Sequence, residues 1–355
     1  MTEGVAPGAA IGILGGGQLG RMLSVAASRL GYRCHIYDPA PNPPAGHVAE
    51  RVTTADWEDA AALEAFAGSV EVITYEFENI PTATLDLLEA QRPVRPGRQA
   101  LAVSQDRLTE KEFLASLGLK VAAFAPVADA ESLDRALKKI GTPAILKTAR
   151  LGYDGKGQAR INAPADAGCA LAAMQGAPAV LEGFVDFERE VSVIVARGLA
   201  GEVVCFEPGE NVHKGGILRT TTVPAQLTPG QRVDAVLLAG QIANALDYVG
   251  VMGVELFVTP ASLVVNEIAP RVHNSGHWTQ AGCSTDQFEQ HIRAVAGLPL
   301  GNGARHADVL MENLIGADIE RLPELLREGD VSVHLYGKAE ARAGRKMGHV
   351  NRIVR

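Results

Sequence analysis

A glycine-rich turn between an apolar run and an amphipathic helix most constrains how this chain can fold. The run 10–14 predicts a buried strand, and the letters GGGQLG at 15–20 lead from it into the helix. Residues 33–37 predict a second strand, which ends at Asp38. Strand, glycine loop, helix, strand and acid in this order are typical of a dinucleotide-binding βαβ unit. The pattern therefore predicts that the chain begins with a doubly wound, parallel α/β domain.

The glycine loop is also a candidate anion-binding site. Its glycines let the backbone come close to an anion, and the start of the helix offers free N–H groups and a positive dipole. A phosphate of any kind would suit this loop; the alternative is a tight turn that only packs helix on strand. Residues 70–75 predict a strand that delivers Glu76 to the same rim of the sheet. Glu76 and Glu78 are either ligand-binding acids on that rim or solvated loop acids.

Two apolar runs, 251–258 and 263–268, predict a β-hairpin with a four-residue loop. Folding about Ala261 brings Glu255 and Glu267 roughly opposite each other, and directly opposed residues have Cβ atoms about 4.5–5.5 Å apart. Two carboxylates this close repel each other unless a cation lies between them, and Mg²⁺ is commonly held by one or two carboxylates plus substrate phosphates. The hairpin therefore predicts a magnesium site, to which Asn266 adds a neutral oxygen. The alternative is an edge hairpin with two solvated carboxylates.

A dense set of anion-binding and hydrogen-bonding side chains follows the hairpin. Its members are Arg271, His273, Asn274, Ser275 and His277. Because they come directly after the two carboxylates, they indicate a site for an anionic ligand beside the metal.

A lysine before a glycine-rich loop forms a second candidate phosphate site. Lys147 ends the strand predicted at 143–147, and the loop 151–158 contains three glycines with Arg150 and Lys156 as basic neighbours. Such a loop can fold its N–H groups over a polyphosphate as a lid. The alternative is a structural hairpin tip, and the loop is not a Walker A motif because GxxxxGK[ST] is absent.

Composition excludes several classes of function. A chain of 355 residues suits two or three domains, and a net charge of −8 makes nucleic acid an unexpected partner. The four cysteines are scattered without a CxxC pair, which indicates reduced cytosolic thiols rather than disulfides or a zinc site. No signal peptide or apolar run of membrane-spanning length is recognisable.

Five motifs in one order make the chain resemble a known family. They are ILGGGQLGRML, TYEFENIP, GYDGKGQ, NEIAPRVHNSGHWT and GRKMGHVN, and they run from Ile13 to Asn351. The order of lysine, glycine loop, Glu182, Glu190, His213 and the carboxylate hairpin resembles the ATP-grasp superfamily. Within that superfamily, the five motifs resemble the 5-(carboxyamino)imidazole ribonucleotide synthase family.

The resemblance implies a fold, a division into domains and a reaction. The fold is α/β, with α+β character in the C-terminal part: an ATP-grasp fold preceded by a Rossmann-like parallel-sheet domain. The implied domains are the Rossmann-like domain at 10–105, a central lid domain at 106–190 and a C-terminal ATP-grasp domain at 191–355 with the Mg²⁺ and bicarbonate sites. The implied reaction is carboxylation of 5-aminoimidazole ribonucleotide in purine biosynthesis, driven by ATP and bicarbonate through carboxyphosphate, with release of ADP and phosphate. A cytoplasmic homodimer is expected, with no nucleic-acid or membrane partner.

The resemblance also implies roles for individual residues. ATP is expected at Arg107, Lys147, Gly152, Tyr153, Asp154, Gly155, Lys156, Gly157, Gln158, Glu182, Gly183, Phe184, Val185, Glu190, His213, Asn266 and Glu267. Mg²⁺ is expected at Glu255 and Glu267. Bicarbonate and carboxyphosphate are expected at the implied catalytic residues Arg271, His273 and Lys346. The ribonucleotide is expected at Gly15, Gly16, Gly17, Gln18, Glu76, Tyr153, Asp154, Lys156, Asn274, Ser275, Lys338 and Arg345.

Some questions stay open at the level of sequence. His273 either takes the proton from the attacking amine or only orients an anion. Leu151 stands where the family's lid more often has a second glycine, and the sequence ends soon after Asn351, where a final helix is expected to be missing or reduced. The competing hypotheses are an NAD-dependent oxidoreductase, another ATP-grasp enzyme such as a formate-using ribonucleotide transformylase or an amino-acid ligase, and a nucleotide-sensing protein without catalysis.

Overall fold

The first part of the computed structural model, which describes residues 4–152 and 157–354, is a parallel α/β unit. Its elements are β1 (Ala10–Leu14), α1 (Gln18–Arg29), β2 (Arg33–Tyr37), β3 (Arg51–Thr53), α2 (Ala60–Ala67), β4 (Val72–Tyr75), α3 (Thr82–Glu89) and α4 (Arg98–Ser104). The strand order is β3-β2-β1-β4, and each neighbouring pair is parallel. The predicted βαβ unit is confirmed, and the carboxyl ends of β1 and β4 bring the glycine loop and Glu76 to one rim.

The second part is a small antiparallel unit. Its elements are α5 (Arg107–Ser116), β5 (Phe124–Val127), α6 (Ala130–Ile140), β6 (Ala144–Thr148), β7 (Gln158–Ile161), α7 (Ala167–Ala173) and β8 (Ala179–Gly183). The strand order is β5-β8-β6-β7. Asp129 caps the start of α6: its carboxylate accepts from the Ser132 N–H, and the Ser132 hydroxyl oxygen accepts from the Asp129 N–H. The sheet presents Lys147 near the end of β6 and Glu182 near the end of β8.

The third part is built on one nine-stranded sheet. Its elements are β9 (Arg189–Arg197), β10 (Val203–Cys205), β11 (Gly209–Lys214), β12 (Ile217–Val223), α8 (Pro229–Ala245), β13 (Gly250–Val258), β14 (Leu263–Ala269), α9 (Thr279–Gly282), α10 (Gln287–Ala296), β15 (Asp308–Ile315), α11 (Leu322–Leu325), β16 (Val331–Leu335) and β17 (Lys346–Val354). The strand order is β14-β13-β9-β11-β12-β15-β17-β16, and β10 pairs with β9. Short 3-10 helices lie at Pro44–His47, Pro164–Asp166, Asn274–Gly276 and Gly316–Arg321.

The polar composition of the segment 210–216 predicts a loop, but the segment is most of β11 and its turn into β12. This prediction is wrong because the usual alternation of buried apolar and exposed polar residues is inverted there. The buried Asn211 faces the interior, whereas Val212 is 53% exposed. A polar residue can occupy that interior position only because other side chains satisfy its amide.

A continuous apolar core joins the first and third parts of the chain. It includes Ile11 and Leu23 from the parallel unit and Trp278, Phe288 and Tyr336 from the large sheet and its helices. Packing of α1 against α10 brings the glycine loop close to residues that are hundreds of positions away. No helix in the described ranges is long and apolar enough to cross a membrane.

The buried His35 makes folding stability depend on pH. Its Nδ1 lies 2.7 Å from Ser69 Oγ and its Nε2 2.8 Å from Thr53 Oγ1. Burial, and then the charge of Arg51, lower its pKa from 6.5 to about 4. As the pH falls, the unfolded chain therefore takes up a proton at His35 before the folded protein does. The contribution of neutral His35 to the free energy of unfolding is fully present above pH 6.5 and is lost as the pH falls toward 4.

We expect His35→Gln to be less stable than wild type at pH 7.5, with a gap that narrows by about 1.4 kcal/mol per pH unit below pH 6.5. The free energy of unfolding from urea titrations at pH 7.5, 6.5 and 5.5 measures this gap. A constant gap across the three pH values would contradict the neutral, buried state of His35.

Candidate active site

The carboxylate hairpin has the predicted pairing, with one irregularity that concerns function. Glu255 on β13 pairs with Glu267 on β14, whereas the next pair is Leu256 with Val265. Asn266 is thus the extra residue of a β-bulge, a feature that re-aims side chains beside functional sites. Its Nδ2 lies 3.4 Å from Glu255 Oε2, and its Oδ1 is buried without a partner among the described residues. Two carboxylates and the amide of Asn266 therefore lie together at the bulge.

The two carboxyl groups differ in their affinity for a proton. Burial, and then repulsion by Glu267, raise the pKa of Glu255 to about 7. Burial acts against ionisation of Glu267 too, but Arg107 and Lys147 outweigh it and lower its pKa to about 2. A divalent cation between the two groups would favour the ionised form of both.

The donor set fits Mg²⁺ better than a transition metal. In the described part of the chain, no three His, Cys, Asp or Glu side chains cluster in a way that could hold a metal. Oxygen donors from two carboxylates and an amide, completed by ligand phosphates and water, are the usual environment of Mg²⁺.

Positive side chains line the other side of the hairpin. Arg107 Nη1 lies 2.9 Å from Glu267 Oε2, and Lys147 Nζ lies 2.9 Å from Glu182 Oε2. Lys111, a residue that the sequence analysis did not select, donates to the Asn266 carbonyl oxygen at 2.6 Å and lies 3.6 Å from Glu182 Oε2. These three cations form a ready counter-charge for a polyphosphate.

The spacing of residues along α5 is a sequence signal for two charged residues that the sequence analysis did not select, Glu110 and Lys111. Arg107, Glu110, Lys111 and Leu114 follow the i, i+3, i+4, i+7 spacing of one helix face, and the last three are buried. Burial raises the pKa of Glu110 to about 8, and its Oε1 accepts from the Ile268 N–H at 2.7 Å. Charged residues on the stripe that a helix normally buries indicate an internal ion network.

His213 and Glu190 meet across strands β11 and β9. His213 Nδ1 lies 2.7 Å from Glu190 Oε2. Burial lowers the histidine pKa, but the hydrogen bond and charge of Glu190 outweigh it, so the net shift is upward. The pair brings together two residues that were expected at the ATP site.

The segment after β14 holds the candidate anion site. Arg271 pairs with both carboxylate oxygens of Glu78, with Nη2 3.0 Å from Oε1. His273 Nε2 lies 3.5 Å from Glu255 Oε1, and both amide atoms of the buried Asn274 lack a partner within residues 4–152 and 157–354. The interpretation of Glu78 as a solvated loop acid is wrong, because this carboxylate is fixed against a guanidinium.

Burial, together with the charges of Arg271 and Lys346, lowers the pKa of His273 to about 3. His273 is therefore neutral near pH 7. Its ring lies directly on the backbone of Gly253, where even a methyl side chain would clash with the imidazole.

The glycine loop is occupied by the protein's own acids. Glu76 accepts from the N–H groups of Gly17 at 2.5 Å and Gly20 at 2.7 Å, and Asp38 accepts from the Gly16 N–H at 2.6 Å. The expectation that a phosphate of any kind would suit this loop is wrong for these donors, since carboxylates already neutralise the start of α1. Glu76 is itself buried, so it is not a solvated loop acid either.

The remaining predicted residues lie around these groups. Lys338 Nζ donates to Gln18 Oε1 at 2.6 Å and to the Lys346 carbonyl oxygen at 2.8 Å, which joins the last strand to the glycine loop. The Gly152 carbonyl accepts from Arg107 at 3.4 Å, and Gln158 on β7 lies opposite Lys147 on β6 in the antiparallel strand pair. Gly183 is the last residue of β8, and Phe184 and Val185 follow it. Tyr153, Asp154, Gly155 and Lys156 lie outside the described residues.

Three family models match the chain in sequence. They are a ribonucleotide synthetase preATP-grasp domain over residues 9–105, an ATP-grasp domain over 112–288 and a phosphoribosylaminoimidazole carboxylase C-terminal domain over 309–355. The N5-carboxyaminoimidazole ribonucleotide synthase of Brucella melitensis is 55% identical over 98% of this chain and 97% of its own length. The chain belongs to the N5-carboxyaminoimidazole ribonucleotide synthase family.

Solved structures of this family agree with the fold. An ADP complex of N5-carboxyaminoimidazole ribonucleotide synthetase superposes with a TM-score of 0.97, at 43% identity, over 100% of this chain and 94% of the other. The Aspergillus clavatus N5-carboxyaminoimidazole synthase in complex with ADP and 5-aminoimidazole ribonucleotide gives a TM-score of 0.92 at 31% identity, over 98% of this chain and 94% of that one. The ATP-grasp fold preceded by a parallel-sheet domain is thereby confirmed.

Proposed function

We propose that this chain carboxylates the amine of 5-aminoimidazole ribonucleotide with bicarbonate and ATP, giving N5-carboxyaminoimidazole ribonucleotide, ADP and phosphate in purine biosynthesis. The observation that carries the proposal is the position of Arg271 and His273. They directly follow the hairpin that pairs Glu255 with Glu267, so an anion-binding group adjoins a phosphate-binding group. The chain is accordingly an ATP-dependent, ADP-forming ligase. The named ligands of the Aspergillus relative, ADP and 5-aminoimidazole ribonucleotide, support the same substrates here.

ATP binds in this proposal between the small antiparallel unit and the large sheet. Arg107, Lys111 and Lys147 neutralise its phosphates, and the pair of Glu190 with His213 belongs to the same site. The site thus joins our proposed domains 106–190 and 191–355, and the domain 10–105 adds the glycine loop. Positive groups fixed before the reaction stabilise the charge of a transferring phosphoryl group without reorganisation.

Mg²⁺ would be held by Glu255 and Glu267, with Asn266 Oδ1 as a neutral donor. When bound, it would supply charge neutralisation at the phosphoryl group that is transferred.

Carboxylation proceeds in two steps in this proposal. A bicarbonate oxygen attacks the γ-phosphorus and the bond to ADP breaks, which gives carboxyphosphate. The substrate amine then attacks the carboxyl carbon, phosphate leaves, and the nitrogen loses one proton. Arg271, His273 and Lys346 surround the anion, and Glu78 fixes the direction of the Arg271 guanidinium.

The ribonucleotide faces the glycine loop, where Glu76 determines which part of it can bind. A carboxylate accepts hydrogen bonds from hydroxyl groups but repels phosphate, so we place the ribose hydroxyls near Glu76. Its phosphate belongs near Lys338 and Arg345, two cations of the segment between β16 and β17. Asn274, whose amide has no partner in the described part of the chain, and Ser275 complete this site. We also propose a cytoplasmic homodimer, which the scattered free cysteines and the family resemblance support.

ADP release from Mg-ATP tests the proposed function. We expect turnover only when both bicarbonate and the ribonucleotide are present, with label from ¹⁴C-bicarbonate in an acid-labile product. Formate in place of bicarbonate is the control for the transformylase alternative. ATP turnover that is indifferent to the ribonucleotide would contradict the assigned acceptor.

A further inference from the structure

A chain of buried hydrogen bonds leads from His273 into the large sheet. His273 Nδ1 lies 2.8 Å from Ser275 Oγ, and the Ser192 hydroxyl on β9 donates to the same Ser275 Oγ at 2.6 Å. Asn211 on β11 donates to Ser192 Oγ at 3.0 Å, and Thr221 on β12 donates to Asn211 Oδ1 at 2.9 Å. We call Ser275, Ser192, Asn211 and Thr221 the relay; all four are buried.

The donors and acceptors of the relay run in one direction. Because Asn211 Nδ2 donates to Ser192 Oγ, the Ser192 hydroxyl proton goes to Ser275 Oγ. The Ser275 hydroxyl, which accepts from Ser192, then donates its own proton to His273 Nδ1. The imidazole nitrogen at the end of the relay is therefore an acceptor.

A second donor reaches the same nitrogen. The backbone N–H of Ser275 donates to His273 Nδ1 at 3.4 Å, and a backbone N–H cannot act as an acceptor. With two donors at Nδ1, the proton of the neutral ring lies on Nε2. Nε2 is the atom that faces Glu255 and the candidate anion site.

The backbone of His273 is held just as firmly as its ring. The buried Gln287 accepts from the His273 N–H at 2.9 Å and donates to the His273 carbonyl oxygen at 2.8 Å. Gly253 leaves no room for the ring to move toward β13. The Nε2–H group is therefore aimed before any ligand arrives.

We propose that His273 acts as a hydrogen-bond donor through Nε2–H toward an oxyanion, and that the relay residues are positioning residues that hold this tautomer. The role rests on the proposed function, in which the oxyanion is bicarbonate or the carboxyphosphate made from it. A ring that already carries its proton on Nε2 has no lone pair there to accept one from the substrate amine. The amine proton therefore leaves with another group, such as the departing phosphate.

The tautomer can be measured without any substrate. Long-range ¹H–¹⁵N correlation spectra of ¹⁵N-histidine-labelled protein show which ring nitrogen is protonated, and the signal missing in His273→Gln assigns the residue. We expect protonated Nε2 and unprotonated Nδ1 in the wild type. A proton on Nδ1 overturns the proposal, whether or not the protein proves to be a carboxylase.

Ser192→Ala tests the relay, because Ser192 contacts Ser275 but belongs to none of the proposed ligand sites. We expect a fraction of the Nδ1–H tautomer to appear and kcat/KM for bicarbonate to fall about tenfold, with KM for ATP unchanged. Ser24→Ala is the matched control: Ser24 is 1% exposed, and its hydroxyl donates to the Gly20 carbonyl oxygen at 2.8 Å, away from the relay. If Ser192→Ala matches this control in both readouts, the relay does not position His273.

Two replacements of His273 itself separate a donor from a base. Glutamine retains an N–H group near the position of Nε2 but cannot accept a proton, whereas methionine has a similar size and no N–H group. A donor role predicts that His273→Gln keeps at least about tenfold more kcat/KM for bicarbonate than His273→Met. Equal, near-complete loss in both variants would indicate a general base and overturn the proposal.

Discussion

Glu267→Gln abolishes ADP formation, with turnover reduced about a thousandfold or more. The substitution keeps the size of the side chain and removes the charge that faces Arg107 at 2.9 Å and pairs with Glu255 across the hairpin. The remaining site has one carboxylate, Glu255, so only one fixed negative group is left to hold the cation. Loss of one fixed group at a site of developing charge costs about 10²–10³ in rate, and loss of a metal-binding carboxylate is expected to cost at least as much.

The measurement is ADP release from saturating ATP, bicarbonate and ribonucleotide over a titration of Mg²⁺. We expect partial recovery at high Mg²⁺, because the variant still has Glu255 and the Asn266 amide. Glu210→Gln is the matched control, since it makes the same change at a half-buried glutamate that lies 3.5 Å from Arg189. Near-normal turnover of Glu267→Gln, with an unfolding midpoint like that of the control, would refute the metal assignment.

Trp278→Ala lowers the free energy of unfolding by about 3–5 kcal/mol, a large part of the stability of an ordinary domain. Trp278 is 1% exposed and packs edge-on against Phe206, with ring centroids 6.4 Å apart. The ring also covers the backbone of Gly282 so closely that a methyl group there would lie 2.9 Å from it. Glycine offers no side chain to refill the space, so most of the cavity is expected to persist.

Urea denaturation monitored by circular dichroism measures this loss. Trp57→Ala is the control, because Trp57 is half-buried at the rim of a separate core, where it packs beside Tyr37 and Phe77. We expect Trp57→Ala to lower the free energy of unfolding by clearly less than Trp278→Ala does. Equal losses for the two tryptophans would show that the core shared by α1, α10 and the large sheet does not depend on Trp278.

Patterns that are local in the chain were readable from the sequence. The bounds of β1 and β2 agree with the predicted strands 10–14 and 33–37, and the predicted hairpin brings Glu255 opposite Glu267. Regular pairing across its four-residue loop would place Glu255 opposite Asn266, so the bulge at Asn266 completes this pairing. In each case, neighbours in sequence determine the geometry, through side-chain alternation, turn length or helix spacing. The five motifs also sufficed to indicate the family.

Only the tertiary structure decided which groups meet across long sequence separations. Glu76 accepts from the N–H of Gly17, which lies 59 residues earlier in the sequence. The relay joins His273 to residues on three other segments. An isolated glycine motif cannot reveal that a carboxylate from another strand will occupy its N–H groups. Nor does a lone Ser192 or Asn211 show that it will be buried as a hydrogen-bond partner.

The physical reason is the cost of burying polar groups. A buried donor or acceptor must be paired, and the partner is whichever group the packing of other elements delivers. Local sequence therefore determined the strands, the hairpin and the family, whereas tertiary packing determined the occupant of the glycine loop, the ion network of α5 and the proton position on His273.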